Sequence, residues 1–98
     1  MREVVISNLV IGKIGILKDY LVSELKLSEN AAMQRIDRIG KFLLLLSVPA
    51  DYPLCRFKRW YTFGYRCAVF EKDWVFAYEI FDDGIIIRDM SHTSVLYQ

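Results

Sequence analysis

Apolar residues follow a helical pattern in the first half of this chain and a strand pattern in the second. From Leu9 to about Leu25 they recur at three- and four-residue intervals, which predicts an amphipathic helix preceded by the N-capping pair Ser7-Asn8. A second stripe with the same spacing runs from Ala32 to Leu46, after another capping residue, Ser28. Because the connection between the two is short, we expect an antiparallel helical hairpin.

Strand-like runs flank this hairpin on both sides. REVVIS at residues 2–7 precedes it, and YRCAVFE (65–71), WVFAYEIF (74–81) and IIIRDMS (85–91) follow it. The links Lys72-Asp73 and Asp82-Asp83-Gly84 are short enough to make the last three runs an antiparallel meander. The chain is therefore predicted to be one α+β domain over residues 1–98, in the order β-α-α-β-β-β, with the hairpin on one face of an antiparallel sheet. The predicted core comprises Ile36, Ile39, Leu43, Val69, Phe76, Tyr78, Ile85 and Ile87.

Composition excludes disorder and gives no sign of a membrane protein. Of the 98 residues 54% are hydrophobic, which is too apolar for a disordered chain. The apolar run FLLLLSV at residues 42–48 is far shorter than the roughly 20 residues needed to span a bilayer. The first ten residues lack the features of a signal peptide. We therefore expect a cytoplasmic protein that makes no membrane contact.

Two cysteines and one histidine offer little for metal binding. Cys55 and Cys67 lack metal-ligand spacing, and a single His does not complete a usual zinc site with them. No metal and no cofactor are expected. For a cytoplasmic chain the cysteines are predicted to be buried reduced thiols, with one disulfide as the open alternative.

The formal net charge of +1 hides a basic segment beside an acidic one. Between residues 53 and 72 five basic residues stand against Glu71 alone, whereas from Asp73 onward five acidic residues stand against Arg88 alone. Aromatic residues are interleaved with the charge in CRFKRWYTFGYR, a mixture that can stack on bases while pairing with phosphates. A solvated loop that happens to be basic is the alternative.

Several of these features together resemble the RelE/ParE superfamily of bacterial type II toxins. They are the order of elements, the GYR of Gly64-Tyr65-Arg66, the helix junction YLVSELKLSENAA, the middle strand WVFAYEI, the Asp-Asp-Gly turn, and a closing strand that ends in His92. The resemblance implies a toxin that is held inactive by a cognate antitoxin. RelE-like members cut messenger RNA on the ribosome, without a metal ion, and ParE-like members poison DNA gyrase.

The RelE-like activity requires cations at a phosphate and a group that transfers protons. By resemblance, Arg66 matches the family's arginine and is the candidate phosphate ligand. His92 is the candidate acid or base, because imidazole changes charge near neutral pH. Tyr97 is a third catalytic candidate, as a base-stacking group or proton donor. Candidates for nucleic-acid binding in the basic segment are Arg56, Lys58 and Arg59.

Each candidate also has a structural interpretation. Arg66 is equally suited to a cross-strand pair with Glu79, and a single His at a strand end is often a capping or hydrogen-bonding residue. A hairpin on a sheet also suits a protein-interaction module without chemistry. These alternatives make different predictions about where the side chains lie.

Overall fold

The computed structural model describes residues 1–96. The elements are β1 (Glu3–Ile6), α1 (Asn8–Ser23), α2 (Glu29–Leu45), α3 (Lys58–Tyr61), β2 (Arg66–Phe70), β3 (Trp74–Phe81), β4 (Gly84–His92) and α4 (Thr93–Leu96). The predicted order of strand, two helices and three strands is confirmed. The short helices α3 and α4 were not predicted from the sequence.

Serine side chains begin both long helices, as predicted. Ser7 Oγ accepts a hydrogen bond from the Val10 amide of α1, and Ser28 Oγ accepts one from the Ala31 amide of α2. Each bond satisfies an amide that has no partner within its own helix. The two starting points were therefore readable from local sequence alone.

The four strands form a mixed sheet in the order β1-β4-β3-β2. The meander β2-β3-β4 is antiparallel, as predicted, but β1 runs parallel to β4, with Glu3 opposite Gly84 and Ile6 opposite Ile87. The expectation of a purely antiparallel sheet was therefore wrong. The physical reason is that the helical hairpin carries the chain across the sheet before the meander begins. Each residue of β1 is therefore paired with a residue of β4 that is 81 positions further along the chain, as in the pair Glu3 and Gly84.

The core lies between the helices and one face of the sheet. Ile39, Leu43, Phe76, Tyr78, Ile85 and Ile87 are buried there, as predicted, and Ile36 is partly buried at its margin. Val69 was assigned to this core wrongly, since it is 49% exposed. Its neighbours Ala68 and Phe70 face the helices, and strand alternation therefore turns Val69 to the other face.

A smaller cluster covers the opposite face of the sheet. Trp60 from α3 packs there with Cys55, Val75 and Ala77. The segment Ala50–Gly64, which we call the basic loop, thus closes over part of the second face rather than extending into solvent. The indole of Trp60 is only 2% exposed and anchors α3 in place.

A disulfide joins Cys55 of the basic loop to Cys67 of β2. The prediction of reduced thiols was wrong. Two hydrogen bonds bring the segments side by side: Cys55 N donates to Tyr65 O at 2.8 Å, and Cys67 N donates to Pro53 O at 3.1 Å. The Cα atoms of the two cysteines are consequently 4.9 Å apart, within the range that a disulfide spans.

Candidate nucleic-acid interface

The basic loop presents three exposed cations. Arg56 follows the disulfide-bonded Cys55, and Lys58 and Arg59 form the first turn of α3. Since Trp60 holds α3 against the sheet, the two residues before it project from the other side of the helix and are exposed. Within residues 1–96 none of the three cations forms an ion pair. Their charges are therefore available to an external anion.

Exposed aromatic rings accompany these cations. Tyr61 is 66% and Phe63 63% exposed, and the Phe63 ring stacks on Tyr65 with centroids 5.2 Å apart and planes 20° apart. Proteins that bind single-stranded nucleic acids use exposed aromatic rings, on which the bases stack, next to unpaired cations that pair with the phosphates. The arrangement agrees with the phosphate-binding interpretation of this segment.

A surface hollow of about 710 Å³ lies beside the basic loop. We call it the loop hollow. The disulfide lines it, together with the cations Arg56 and Lys72 and the hydroxyl residues Thr93 and Ser94. Within the part of the chain that the structure describes, no residue lining the hollow is acidic. The hollow thus combines positive charge with hydroxyl donors, which suits an anionic group.

His92 lies at the end of β4, next to this hollow. Its ring packs edge-on against Trp74, with centroids 5.2 Å apart. Nδ1 accepts a hydrogen bond from the Ser94 amide at 3.1 Å and lies 2.9 Å from Ser94 Oγ. Because Nδ1 is an acceptor for that amide, the neutral ring carries its proton on Nε2. His92 also lines a second hollow, of about 700 Å³, between α1 and the ends of β3 and β4.

Arg66 is held by the scaffold rather than left free. Its Nη1 donates to the carbonyl oxygen of Tyr52 at 2.8 Å, which ties the start of β2 to the basic loop. The alternative partner Glu79 instead accepts two hydrogen bonds from Arg88, at 2.7 and 3.2 Å. The cross-strand pair of Arg66 with Glu79 was therefore wrong. In the structure Arg66 anchors the basic loop through its hydrogen bond to Tyr52.

The structure does not bring Arg66 and His92 together. Arg66 lies opposite Tyr78 in the middle of β3, whereas His92 lies opposite Trp74, the first residue of that strand. Four residues of strand separate those two positions, about 13 Å at roughly 3.3 Å per residue. With Arg66 bound to the Tyr52 carbonyl, the two side chains occupy separate positions on the sheet. Tyr97, the third catalytic candidate, lies outside the described residues.

A polar network holds Asp51 and Tyr52, and Tyr52 is the residue whose carbonyl oxygen binds Arg66. Asp51 Oδ1 accepts hydrogen bonds from Arg2 Nη2 at 2.5 Å and from the Tyr78 hydroxyl at 3.1 Å, and the Tyr52 amide donates to that hydroxyl at 3.0 Å. The hydrogen bond from Arg2 is the main cause that lowers the pKa of Asp51. Burial is the main cause that raises the pKa of the Tyr78 hydroxyl. This network fixes the beginning of the basic loop to the sheet.

Asp89 forms a second anchor that the sequence analysis missed. Its Oδ1 accepts from Lys13 Nζ of α1 at 2.6 Å, and its Oδ2 accepts from Trp60 Nε1 of α3 at 3.0 Å. Burial by itself would raise the pKa of this carboxyl, but hydrogen bonds from Lys13, Trp60 and the Met90 amide outweigh it and lower the pKa. The one available signal was an acidic residue inside the apolar strand IIIRDMS.

Comparisons with known proteins leave the family open. No family model matches the chain, and neither a curated protein nor a solved structure matches it. The RelE/ParE resemblance therefore stays a prediction. Within residues 1–96 no helix has both the length and the apolar character to cross a membrane. The same residues contain no group of three or more side chains suited to hold a metal ion.

Proposed function

We propose that this chain is the toxin component of a type II toxin-antitoxin pair and that it engages messenger RNA on the ribosome through the basic loop. The observation that carries the proposal is the set of unpaired cations, Arg56, Lys58 and Arg59, interleaved with exposed aromatic rings on an anchored loop. Two anchors, the disulfide and Trp60, reduce the conformational freedom that the loop would lose on binding. The order of elements agrees with the RelE/ParE resemblance.

The proposed cleavage chemistry centres on the loop hollow rather than on Arg66. Arg56 and Lys72 would pair with the phosphate there, and Ser94 at the hollow's edge connects it to His92. His92 would contribute Nε2, since Ser94 occupies Nδ1. With its proton on Nε2, the neutral ring donates a hydrogen bond to a phosphate oxygen but accepts no proton there. General-base catalysis by His92 therefore requires the other tautomer.

The tautomer of His92 in the structure is not the one that general-base catalysis needs. This favours a second candidate function, a binding module of the same fold that does not cleave RNA. The Ser94 amide bond gives His92 the capping role expected of a structural histidine. Such a module would bind RNA or protein without cleaving either. ParE-like inhibition of DNA gyrase is a third outcome, and DNA breaks would reveal it.

Growth arrest on induction in bacteria, followed by mapping of RNA ends and DNA breaks, separates these functions. Cleaved transcripts that disappear with His92→Gln support RNA cleavage. Arrest that persists in His92→Gln with intact transcripts supports a binding module, and gyrase-dependent DNA breaks support ParE-like action. Unimpaired growth with the wild-type chain would contradict the toxin proposal.

RNA affinity tests the basic loop itself. The double variant Lys58→Gln/Arg59→Gln should bind single-stranded RNA more weakly, and the slope of log affinity against log salt should fall by about 1.4, at roughly 0.7 per phosphate contact. The matched control is Lys26→Gln/Lys41→Gln, which removes two exposed cations elsewhere on the surface. Equal losses in both double variants would show that binding follows net charge rather than this loop.

A cognate antitoxin is the proposed protein partner. Exposed apolar side chains on α1, including Ile11 at 55% and Ile16 at 70%, and Leu44 and Leu45 on α2 support a protein partner on the helical layer. A helix laid over the hairpin, or a strand added to the sheet, would cover such a surface. Co-purification with a small acidic protein encoded beside this chain tests the proposal, and a stable monomer with no such partner would contradict it.

A further inference from the structure

The Cys55–Cys67 disulfide lies in the wall of a cationic hollow. Cys55 is 2% exposed, whereas Cys67 is partly exposed, and both line the loop hollow. Arg56 and Lys72 line the same hollow, and neither cation forms an ion pair within residues 1–96. Among the described residues that line the hollow, none carries a carboxylate that would offset their charge. A small molecule that reaches Cys67 therefore does so in a positive field.

We propose that this disulfide is a thiol-exchange site selective for small thiols that carry carboxylate groups. The attacking species in exchange is the thiolate anion, and neighbouring cations raise its local concentration and stabilise the thiolate that leaves. Carboxylates on the incoming thiol add further attraction to Arg56 and Lys72. The proposal does not depend on the proposed toxin function.

The reaction proceeds in two balanced steps. An external thiolate attacks Sγ of Cys67, which forms a mixed disulfide on Cys67 and releases Cys55 as a thiolate that takes a proton from water. A second external thiolate then attacks the external sulfur of the mixed disulfide. This releases Cys67 as a thiolate, which is protonated, together with the oxidised external disulfide. Two electrons pass from the two external thiols to the protein.

Reduction would loosen the basic loop, because the disulfide links the loop covalently to β2 and the other contacts between them are hydrogen bonds. The remaining local ties include the bonds from Cys55 N to Tyr65 O and from Cys67 N to Pro53 O, and the bond from Arg66 Nη1 to Tyr52 O. Disulfides of intracellular proteins are usually transient and redox-sensing, so a reducible tie is the form expected if this chain is cytoplasmic. The cationic loop would then be held more rigidly in the oxidised protein than in the reduced protein.

Thiols of different charge test the selectivity. The oxidised protein is treated with glutathione, 2-mercaptoethanol or cysteamine at equal thiolate concentrations, and disulfide loss is followed by acid quench, alkylation and mass spectrometry. Relative to the rate of the same thiol with a neutral small-molecule disulfide, we expect glutathione to react fastest and cysteamine slowest, with the differences shrinking at high salt. Equal rates at low salt, or no reaction before unfolding, would overturn the proposal.

Charge-removing variants locate the effect. Arg56→Gln and Lys72→Gln should each slow the glutathione reaction by about threefold, as expected for unit charges a few ångströms apart in a water-like dielectric, and should slow the reaction of the singly charged 2-mercaptoethanol thiolate less. Lys41→Gln, an exposed cation on α2, is the matched control and should change neither rate. An equal effect of all three variants would overturn the assignment to this hollow.

Amide exchange tests the structural consequence. In the reduced protein the amides of Cys55 and Cys67 should exchange faster than in the oxidised protein, while core amides such as that of Phe76 should not change. Unchanged exchange at both cysteines would show that the disulfide does not tie the loop.

Discussion

Asp89→Ala should destabilise the fold, because this one carboxylate binds both α1 and α3 to the sheet. Trp60 is 2% exposed, so its Nε1–H would be left buried without an acceptor, at a cost of about 1–3 kcal/mol. The side chain of Lys13 is 37% exposed and returns to water, so loss of that ion pair adds at most about 1 kcal/mol. The expected total is about 1–4 kcal/mol in the free energy of unfolding.

Urea denaturation of the oxidised protein, followed by circular dichroism, measures this loss. Asp37→Ala removes an exposed carboxylate on α2 and should cost less than about 0.5 kcal/mol. In a Trp60→Phe background the donor is already absent, so Asp89→Ala should cost about 1–2 kcal/mol less than in the wild type. A cost equal to the control, or one unchanged by Trp60→Phe, would refute the role assigned to the bond from Trp60.

The same variant predicts a pH dependence with a definite sign. The pKa of Asp89 is lowered in the folded state, so the unfolded chain binds more protons near its own pKa of about 3.9. The stability difference between the wild type and Asp89→Ala should be full above the unfolded pKa and shrink as pH falls through the folded pKa. A difference that grows on acidification would contradict the assignment.

Three further perturbations address the loop and its anchors. Cys55→Ala/Cys67→Ala should lower the free energy of unfolding by about 3 kcal/mol, the value for a closed loop of this size, in non-reducing urea denaturation; a loss as small as that of a surface variant would count against it. Tyr78→Phe should cost about 1–2 kcal/mol at neutral pH, because Asp51 loses a hydrogen bond, and a neutral result would show that the hydroxyl is dispensable. Arg66→Gln should lower thermal stability but retain growth arrest, whereas loss of arrest in a fully folded variant would restore Arg66 to the functional site.

Part of the candidate site could be predicted from the sequence. The basic loop was recognisable, because clustered charge and interleaved aromatic residues are properties of adjacent positions. The association of Arg66 with His92 was not correctly predicted. Both stand near strand ends, but an antiparallel meander places the start of β2 and the end of β4 at opposite ends of the sheet. Pattern analogy carries no information about that distance.

The sequence by itself determined the two long helices, the four strands and their order. Apolar spacing, the caps Ser7 and Ser28, and the Asp-Asp-Gly turn act within a few residues, so each could be read locally. The tertiary structure alone decided the parallel pairing of β1 with β4, the Cys55–Cys67 disulfide, and the contact of Lys13 with Asp89 across 76 residues. These depend on how the hairpin carries the chain over the sheet. Many sequence-distant pairs satisfy the same local pattern, and only packing of the whole chain selects among them.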